Sequence, residues 1–262
     1  MPNQPPVDLR TAAAELGVHY QTAYRWVRNG LLPAAVVAGK YSVRRSDLVE
    51  FAERRSRPTP VAPPSVQRLD GQAERMHEAL RTGDDLRARQ IARRLIDEGT
   101  PVKDLIAAVL SPPLRAIGQS WREGKISIWV EHRASAIVER ILGELTPTPR
   151  GRRRGTVMVA AVSGDLHALA PAMAAAALRA DNWNVEHLGA NMPLDELVDF
   201  CATHDITVAV LSVTNSEVEA IAHRAATALR DSAIPVVIGG PGRTIDDLLA
   251  EVRTATSQAN AP

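Results

Sequence analysis

The hydrophobic pattern is plainest from residue 156 onward. Thr156 to Val162 is an unbroken run of small and branched apolar residues. It stops abruptly at Ser163-Gly164-Asp165-Leu166-His167, and an alanine-rich amphipathic stretch follows to Arg179. That pattern predicts a buried strand, a tight loop and a helix. The alternation continues. After Trp183, Val185-Glu186-His187-Leu188-Gly189 leads to Pro193 and a helical stretch, Val208 to Leu211 runs into Ser212-Val213-Thr214, and Val236 to Ile238 runs into Gly239-Gly240. Strands alternating with helices predict a parallel α/β sheet of the flavodoxin-like, Rossmann-like kind, with its ligand-facing loops at the carboxyl ends of the strands. Beyond Pro241-Gly242 the pattern is helical from Thr244 to Val252, and the tail TATSQANAP has no strand character.

Upstream the period changes to helical. Four helices are expected at about 67–82, 84–98, 102–122 and 128–145, with stops and caps at Gly83-Asp84, Gly99-Thr100-Pro101 and Gly124 to Ser127. Pro112-Pro113 should kink or break the third. Short connections between them imply an all-α four-helix bundle. At the amino end, Leu9, Ala12, Ala13 and Leu16 have helical spacing, Gly17 ends that helix, and Val18 to Arg28 makes a second with Ala23, Trp26 and Val27 inward. Ala35 to Val37, the turn Gly39-Lys40 and Tyr41 to Val43 read as a small hairpin, and Asp47 to Arg55 as a third helix. The chain is therefore multidomain: 1–57 a winged helix-turn-helix, 58–66 a proline-rich linker, 67–146 the bundle, 147–155 a basic hinge and 156–262 the α/β domain.

Composition adds bounds. The 262 residues, 45% of them apolar, suffice for several small cores. The single cysteine, Cys201, excludes internal disulfides, and no apolar run approaches a membrane span or an export signal, so a cytoplasmic chain without membrane contact is expected. The net charge of +1 is unevenly spread: residues 1–57 hold nine Lys and Arg against five Asp and Glu, leaving the remainder slightly acidic.

The basic amino-terminal unit fits nucleic acid. Its sequence DLRTAAAELGVHYQTAYRWVRNGLLP, followed by the hairpin and RRSDLVEFA, resembles the winged helix-turn-helix of the MerR and excisionase group. The resemblance implies that the second helix enters the major groove of a double-stranded operator and that the wing touches the backbone. Tyr20, Gln21, Thr22, Tyr24, Arg25 and Arg28 are then the groove candidates, since Gln and Arg make bidentate contacts to adenine and guanine. Lys40, Arg44 and Arg45 are the phosphate candidates. The four arginines of PTPRGRRRG either add phosphate contacts or form a solvated linker.

In the loop after the first long strand, an imidazole at His167 can bind a metal through one nitrogen while Asp165 accepts the other ring N–H. A surface histidine gives the same local pattern. With the later strand ends, the region resembles the cobalamin-binding domain of corrinoid proteins, whose pattern is Asp-x-His-x-x-Gly, then Ser-x-Leu or Ser-x-Thr, then Gly-Gly. By that resemblance His167 is the lower axial cobalt ligand, Ser212 and Thr214 line the slot for the nucleotide tail, and Gly239 and Gly240 let the backbone approach it. The last glycine of the first motif is Ala170 here, and the usual fifth strand is expected to be absent or degenerate, leaving four clear strands.

In the bundle, WREGKISIWVEH places Trp121 at a helix end and Glu131 and His132 at the start of the next helix. A Trp, nine intervening residues and Glu-His resemble the cap motif of light-responsive, adenosylcobalamin-dependent regulators of the CarH and LitR type. There the tryptophan packs over the adenosyl face and the Glu-His pair contacts the adenosyl group. Those regulators carry a ligating histidine directly after the tryptophan. This chain carries Arg122, which stays protonated and cannot ligate, so an exchangeable upper ligand is expected after illumination, with His132 the nearest substitute. Together these readings predict a non-enzymatic, homo-oligomeric (dimeric or tetrameric) transcription regulator switched by cobalamin, most simply adenosylcobalamin. The alternatives are a regulator that kept the fold without the cofactor, and a corrinoid carrier for methyl transfer, which has no use for residues 8–55.

Overall fold

The computed structural model describes residues 5–28, 31–37, 39–56, 66–145 and 151–259. The linker expected at 58–66 lies outside them except for Val66, as do residue 146 at the end of the expected bundle and residues 147–150 at the start of the basic hinge. The chain divides into two compact units, residues 1–62 and 63–262.

In the first unit, strand β1 (Val7–Asp8) leads into helix α1 (Leu9–Glu15), followed by α2 (Tyr20–Arg28), β2 (Ala35–Val37), β3 (Lys40–Val43) and α3 (Arg45–Ser56). Asp8 caps α1, its Oδ1 accepting from the amides of Arg10 and Thr11 at 2.9 Å. The three strands form an antiparallel sheet in the order β1-β3-β2. The hairpin was expected. β1 was not, because two residues carry no alternation to read. Leu9, Ala12, Ala13, Ala23, Leu32, Val43, Leu48 and Phe51 make the core, and the Trp26 ring packs 5.2 Å from that of Phe51.

The second unit begins with the bundle: α4 (Val66–Thr82), α5 (Asp85–Asp97), a third helix in three parts and α8 (Ile128–Glu144). The three parts are α6 (Val102–Asp104), a π-helical stretch Leu105–Leu110 and α7 (Ser111–Arg122). Pro112 and Pro113 therefore do not break the helix. Lacking N–H groups, they fall in the first turn of α7, where no intrahelical donor is needed, and the wider π turn before them absorbs the change of register.

The α/β part runs β4 (Thr156–Val162), α9 (Leu169–Ala180), β5 (Asn184–Met192), α10 (Leu194–Thr203), β6 (Val208–Ser212), α11 (Glu219–Asp231), β7 (Val236–Gly239) and α12 (Ile245–Ala259). Its strands form a parallel sheet in the order β5-β4-β6-β7, four strands among the described residues, as the sequence implied. The tail is not loose as far as Ala259. It extends α12 seven residues past Val252, with Val252 and Thr256 buried. One sheet face, covered by α9 and α12, shares a continuous core with the bundle that runs from Leu80, Ile106 and Ile137 to Val157, Ala175 and Val210. The other face packs on α10 and α11. The bundle is thus seated on the sheet layer, and Lys103 Nζ reaches Asp246 at 2.7 Å across the join.

Candidate cobalamin site and candidate nucleic-acid interface

The site grows from β4. Its chain neighbours in the sheet lie on opposite sides, β5 on one and β6 on the other, so the carboxyl end of β4 opens a crevice. The loop there turns through Gly164, whose φ of +86° is left-handed and whose absent Cβ would meet Val218 at 3.2 Å. This turn drops Asp165 into the interior, fully buried, and leaves His167 with a side chain 65% exposed.

A buried carboxylate requires donors, and Asp165 has four. Oδ1 accepts from the His167 amide (3.1 Å) and the Thr214 hydroxyl (2.8 Å), and lies 2.9 Å from His167 Nδ1, while Oδ2 accepts from the Thr214 amide (2.8 Å). Burial pushes this carboxyl up, but the hydrogen bonds from Thr214 and His167 outweigh it and hold it below its ordinary value. Because an ionised carboxylate only accepts, Nδ1 of His167 carries the proton, and in the neutral ring the lone pair is on Nε2. Thr214 Oγ1, 2.7 Å from the same Nδ1, fixes the ring from a second side. Asn191 completes the loop: its amide donates to the Asp165 carbonyl (2.9 Å), its Oδ1 accepts from the Gly164 amide (2.8 Å), and its φ of 57° aims both. The sequence reading missed Asn191, for which the only signal is the tolerance of asparagine for left-handed backbone.

Facing this loop across a cavity of about 710 Å³ is the end of the bundle. Trp121, Arg122, Glu131 and His132 line the cavity together with His167 and Thr214, so the structure brings the two predicted motifs to one space. Glu131 Oε2 lies 2.7 Å from His132 Nδ1 and its Oε1 accepts from Ser135 Oγ at 2.8 Å, a second residue the sequence reading missed. Arg122 donates to Gln119 Oε1 at 2.7 Å. Ala170 is in the cavity wall, so its methyl occupies space that a glycine would leave open.

Ser212, Gly239 and Gly240 stand apart from this lining. Ser212 is buried at the end of β6, in register with Gly239 on β7, and the Cβ position of Gly240 is 3.2 Å from the Val213 carbonyl. Thr214, two residues beyond Ser212, is in the lining. Its amide and hydroxyl are turned to Asp165.

Among the described residues no cluster of three or more His, Cys, Asp or Glu suits a bare metal ion. A single carboxylate-oriented imidazole on the sheet side suits a metal that brings its own equatorial donors, as the cobalt of a corrin does. The residues present fit that group.

In the first unit, Tyr20, Gln21 and Arg28 are exposed on α2 and Thr22 is half-buried. The side chain of Arg25 lies outside the described residues. Tyr24 is half-buried with its ring edge-on to Tyr41 at 5.8 Å, so it braces α2 against the hairpin. Lys40 opens β3 and Arg44 follows it, both exposed. Arg45 is the first residue of α3 and pairs with Glu15 at 3.0 Å. In the hinge, Arg153 donates to the Trp183 carbonyl (3.0 Å) and Arg154 to that of Asp181 (2.9 Å), so these two arginines fasten the start of β4 rather than waiting free for phosphate.

Comparison with known proteins agrees with this geometry. Residues 7–56 match a helix-turn-helix domain, and residues 72–146 and 155–256 match two B12 binding domain families. The chain is 28% identical over 256 residues to the HTH-type transcriptional repressor CarA of Myxococcus xanthus, covering 89% of this chain and 86% of that one. In fold it is similar to the monomethylamine corrinoid protein of Methanosarcina barkeri, with a TM-score of 0.55, 14% identity and coverage of 72% of this chain and 98% of that one. The chain thus joins a helix-turn-helix domain to a helical cap and a four-stranded B12 binding domain, and is a distant homologue of CarA. Among the described residues no helix is long and apolar enough to cross a membrane.

Proposed function

We propose that this protein is a DNA-binding transcription repressor whose grip on its operator is set by cobalamin, most simply adenosylcobalamin, held between cap and sheet. The observation that carries the reading is the pairing of an oriented histidine on the sheet side with Trp121, Glu131 and His132 across one cavity. His167 offers Nε2 as the lower ligand, and Asp165 and Thr214 hold its ring so that little orientational freedom is lost on binding. Trp121, 41% exposed, and Leu166, 75% exposed, present bare apolar surface at the cavity, which a flat organic ring covers. Cobalamin in its adenosyl form supplies a cobalt–carbon bond that light breaks. Light is then an input, and a ligand that prefers one assembly state of the chain shifts it toward that state, here a dimer or tetramer. On the DNA side, Gln21 and Arg25 read bases, while Lys40 and Arg44 hold phosphates. The helix-turn-helix domain separates this reading from that of a methyl-transfer carrier.

The test is titration of the purified chain with adenosylcobalamin in the dark, followed by visible spectra and size-exclusion chromatography before and after green light. Uptake, a larger assembly in the dark and its loosening by light are expected, and His167→Ala should weaken uptake or move the spectrum toward the base-off form. A chain that takes up no cobalamin, or whose His167→Ala variant binds it with the same affinity and spectrum, overturns the cofactor reading. An assembly indifferent to light removes the photoswitch alone. For DNA selected from a random pool, Arg25→Ala should cost about 1–3 kcal/mol and relax specificity. Arg44→Ala should weaken all sequences alike and lower the salt slope by about one. Equal losses on selected and random DNA for both variants refute the assignment of α2.

A further inference from the structure

The cap wall repeats the arrangement of the sheet wall. On the sheet side, a buried acid two residues before His167 holds its Nδ1. On the cap side, Glu131 holds Nδ1 of His132 at 2.7 Å and is itself held by Ser135 at 2.8 Å. The same chemical argument applies to both rings. A carboxylate accepts and does not donate, so the Nδ1 of His132 carries the proton and its Nε2 carries the lone pair. His132 is otherwise uncommitted, with 70% of its side chain exposed, and it lines the cavity that His167 lines from the other side.

The other nitrogen-bearing side chains in that wall are Trp121, whose indole N–H only donates, and Arg115 and Arg122, whose guanidinium groups stay protonated and have no lone pair to give. Both oxygens of Glu131 are engaged. From the Arg122 substitution alone, an exchangeable ligand is expected above the metal. The paired geometry points elsewhere.

We propose that His132 is the second axial ligand, a proposal that rests on the cobalamin reading and adds to it. Once the upper position of cobalt(III) holds only water, Nε2 of His132 donates its lone pair to the metal and one water leaves. The ring keeps its Nδ1 proton toward Glu131, and the oxidation state is unchanged. Glu131 is then a positioning residue, in the role Asp165 has below. Arg122, hydrogen-bonded to Gln119 beside it, stays a wall residue.

The experiment uses the full chain and aquacobalamin in the dark. The wild type should shift the visible bands as free imidazole does when it replaces water on aquacobalamin, and should resist azide. His132→Ala should still take up the corrinoid but show the water-ligated spectrum and bind azide readily, and added imidazole should restore the shifted bands. That rescue separates ligation from a merely structural role. Glu131→Gln should hold the ligand less firmly, letting azide compete about 10–100-fold better. If the chain takes up aquacobalamin but the wild type and His132→Ala give the same spectrum and the same azide affinity, His132 is not the ligand and the cobalamin reading stands. If the wild type takes up no corrinoid, both fall.

Discussion

The hydroxyl of Thr214 offers the sharpest test of how the loop after β4 is held. It donates to Asp165 Oδ1 at 2.8 Å and lies 2.7 Å from His167 Nδ1, while the Thr214 amide separately serves Oδ2 at 2.8 Å. Thr214→Val keeps the side-chain shape and the amide bond and removes one charge-assisted hydrogen bond from a fully buried carboxylate. Such a bond contributes about 1.5–3 kcal/mol, and because the carboxylate keeps its other donors the lower half of that range is expected. Asp165 should titrate higher, since its hydrogen bonds from Thr214 and His167 oppose the upward push of burial. Binding should suffer as well: loosening an orienting partner of a metal-ligating histidine costs about 10–100-fold in affinity. Urea unfolding gives the first quantity and titration with cobalamin the second, and Thr214→Ser should restore both. A Thr214→Val protein with unchanged unfolding midpoint and unchanged cobalamin affinity would show that the hydroxyl neither stabilises the loop nor orients His167.

Gly164→Ala should destabilise by about 1 kcal/mol or more, because φ of +86° is strained for alanine and the new methyl meets Val218 at 3.2 Å; an unchanged urea midpoint would contradict the strain argument. Lys103→Ala should cost at most about 1 kcal/mol even though the ion pair with Asp246 spans cap and sheet, since both side chains are substantially exposed; a larger loss on urea unfolding would show that the pair, not the shared core, ties the two layers. His187 is held below its ordinary value by burial and then by the nearby charge of Arg179, and its Nε2 is buried without a partner. The folded state therefore binds fewer protons than the unfolded chain below about pH 6.5, so its contribution is complete above that pH and is lost as pH falls through the folded value. His187→Gln should flatten the fall of the urea midpoint as pH drops below about 6.5, where one such group accounts for up to about 1.4 kcal/mol per pH unit; parallel curves for the two proteins would reject this.

What could be read from the sequence was what repeats or lies close together. The four strands of the sheet, the four-helix cap and the Asp165-His167 pair all depend on patterns spanning at most a few turns, and the structure has each of them. Elements below the length of a pattern escaped: β1 has two residues, and its place in the sheet comes from pairing with β3 some 35 residues later. The prolines were read in part. Their effect on hydrogen bonding was foreseen, but not that six residues of π helix ahead of them would take it up, because helix register is decided by packing on both sides. The pairing of Arg45 with Glu15 of α1 was also beyond the sequence pattern, since the two lie 30 residues apart.

The same distinction bears on the site. Each histidine is recognisable beside its own acid, Asp165 two residues before His167 and Glu131 one residue before His132, but nothing in the spacing says that the two pairs share a cavity. Thr214 and Asn191, which hold the lower pair, come from beyond β6 and from the end of β5, and reach Asp165 because parallel strands bring their carboxyl ends to one edge. On the proposed function, the motif therefore supplies the metal donor and the fold supplies its rigidity. A protein that kept Asp165 and His167 but lost Thr214 and Asn191 would keep the sequence signature while surrendering the preorganisation that makes the donor useful. Substitutions at those two positions should accordingly weaken cobalamin uptake without touching either histidine.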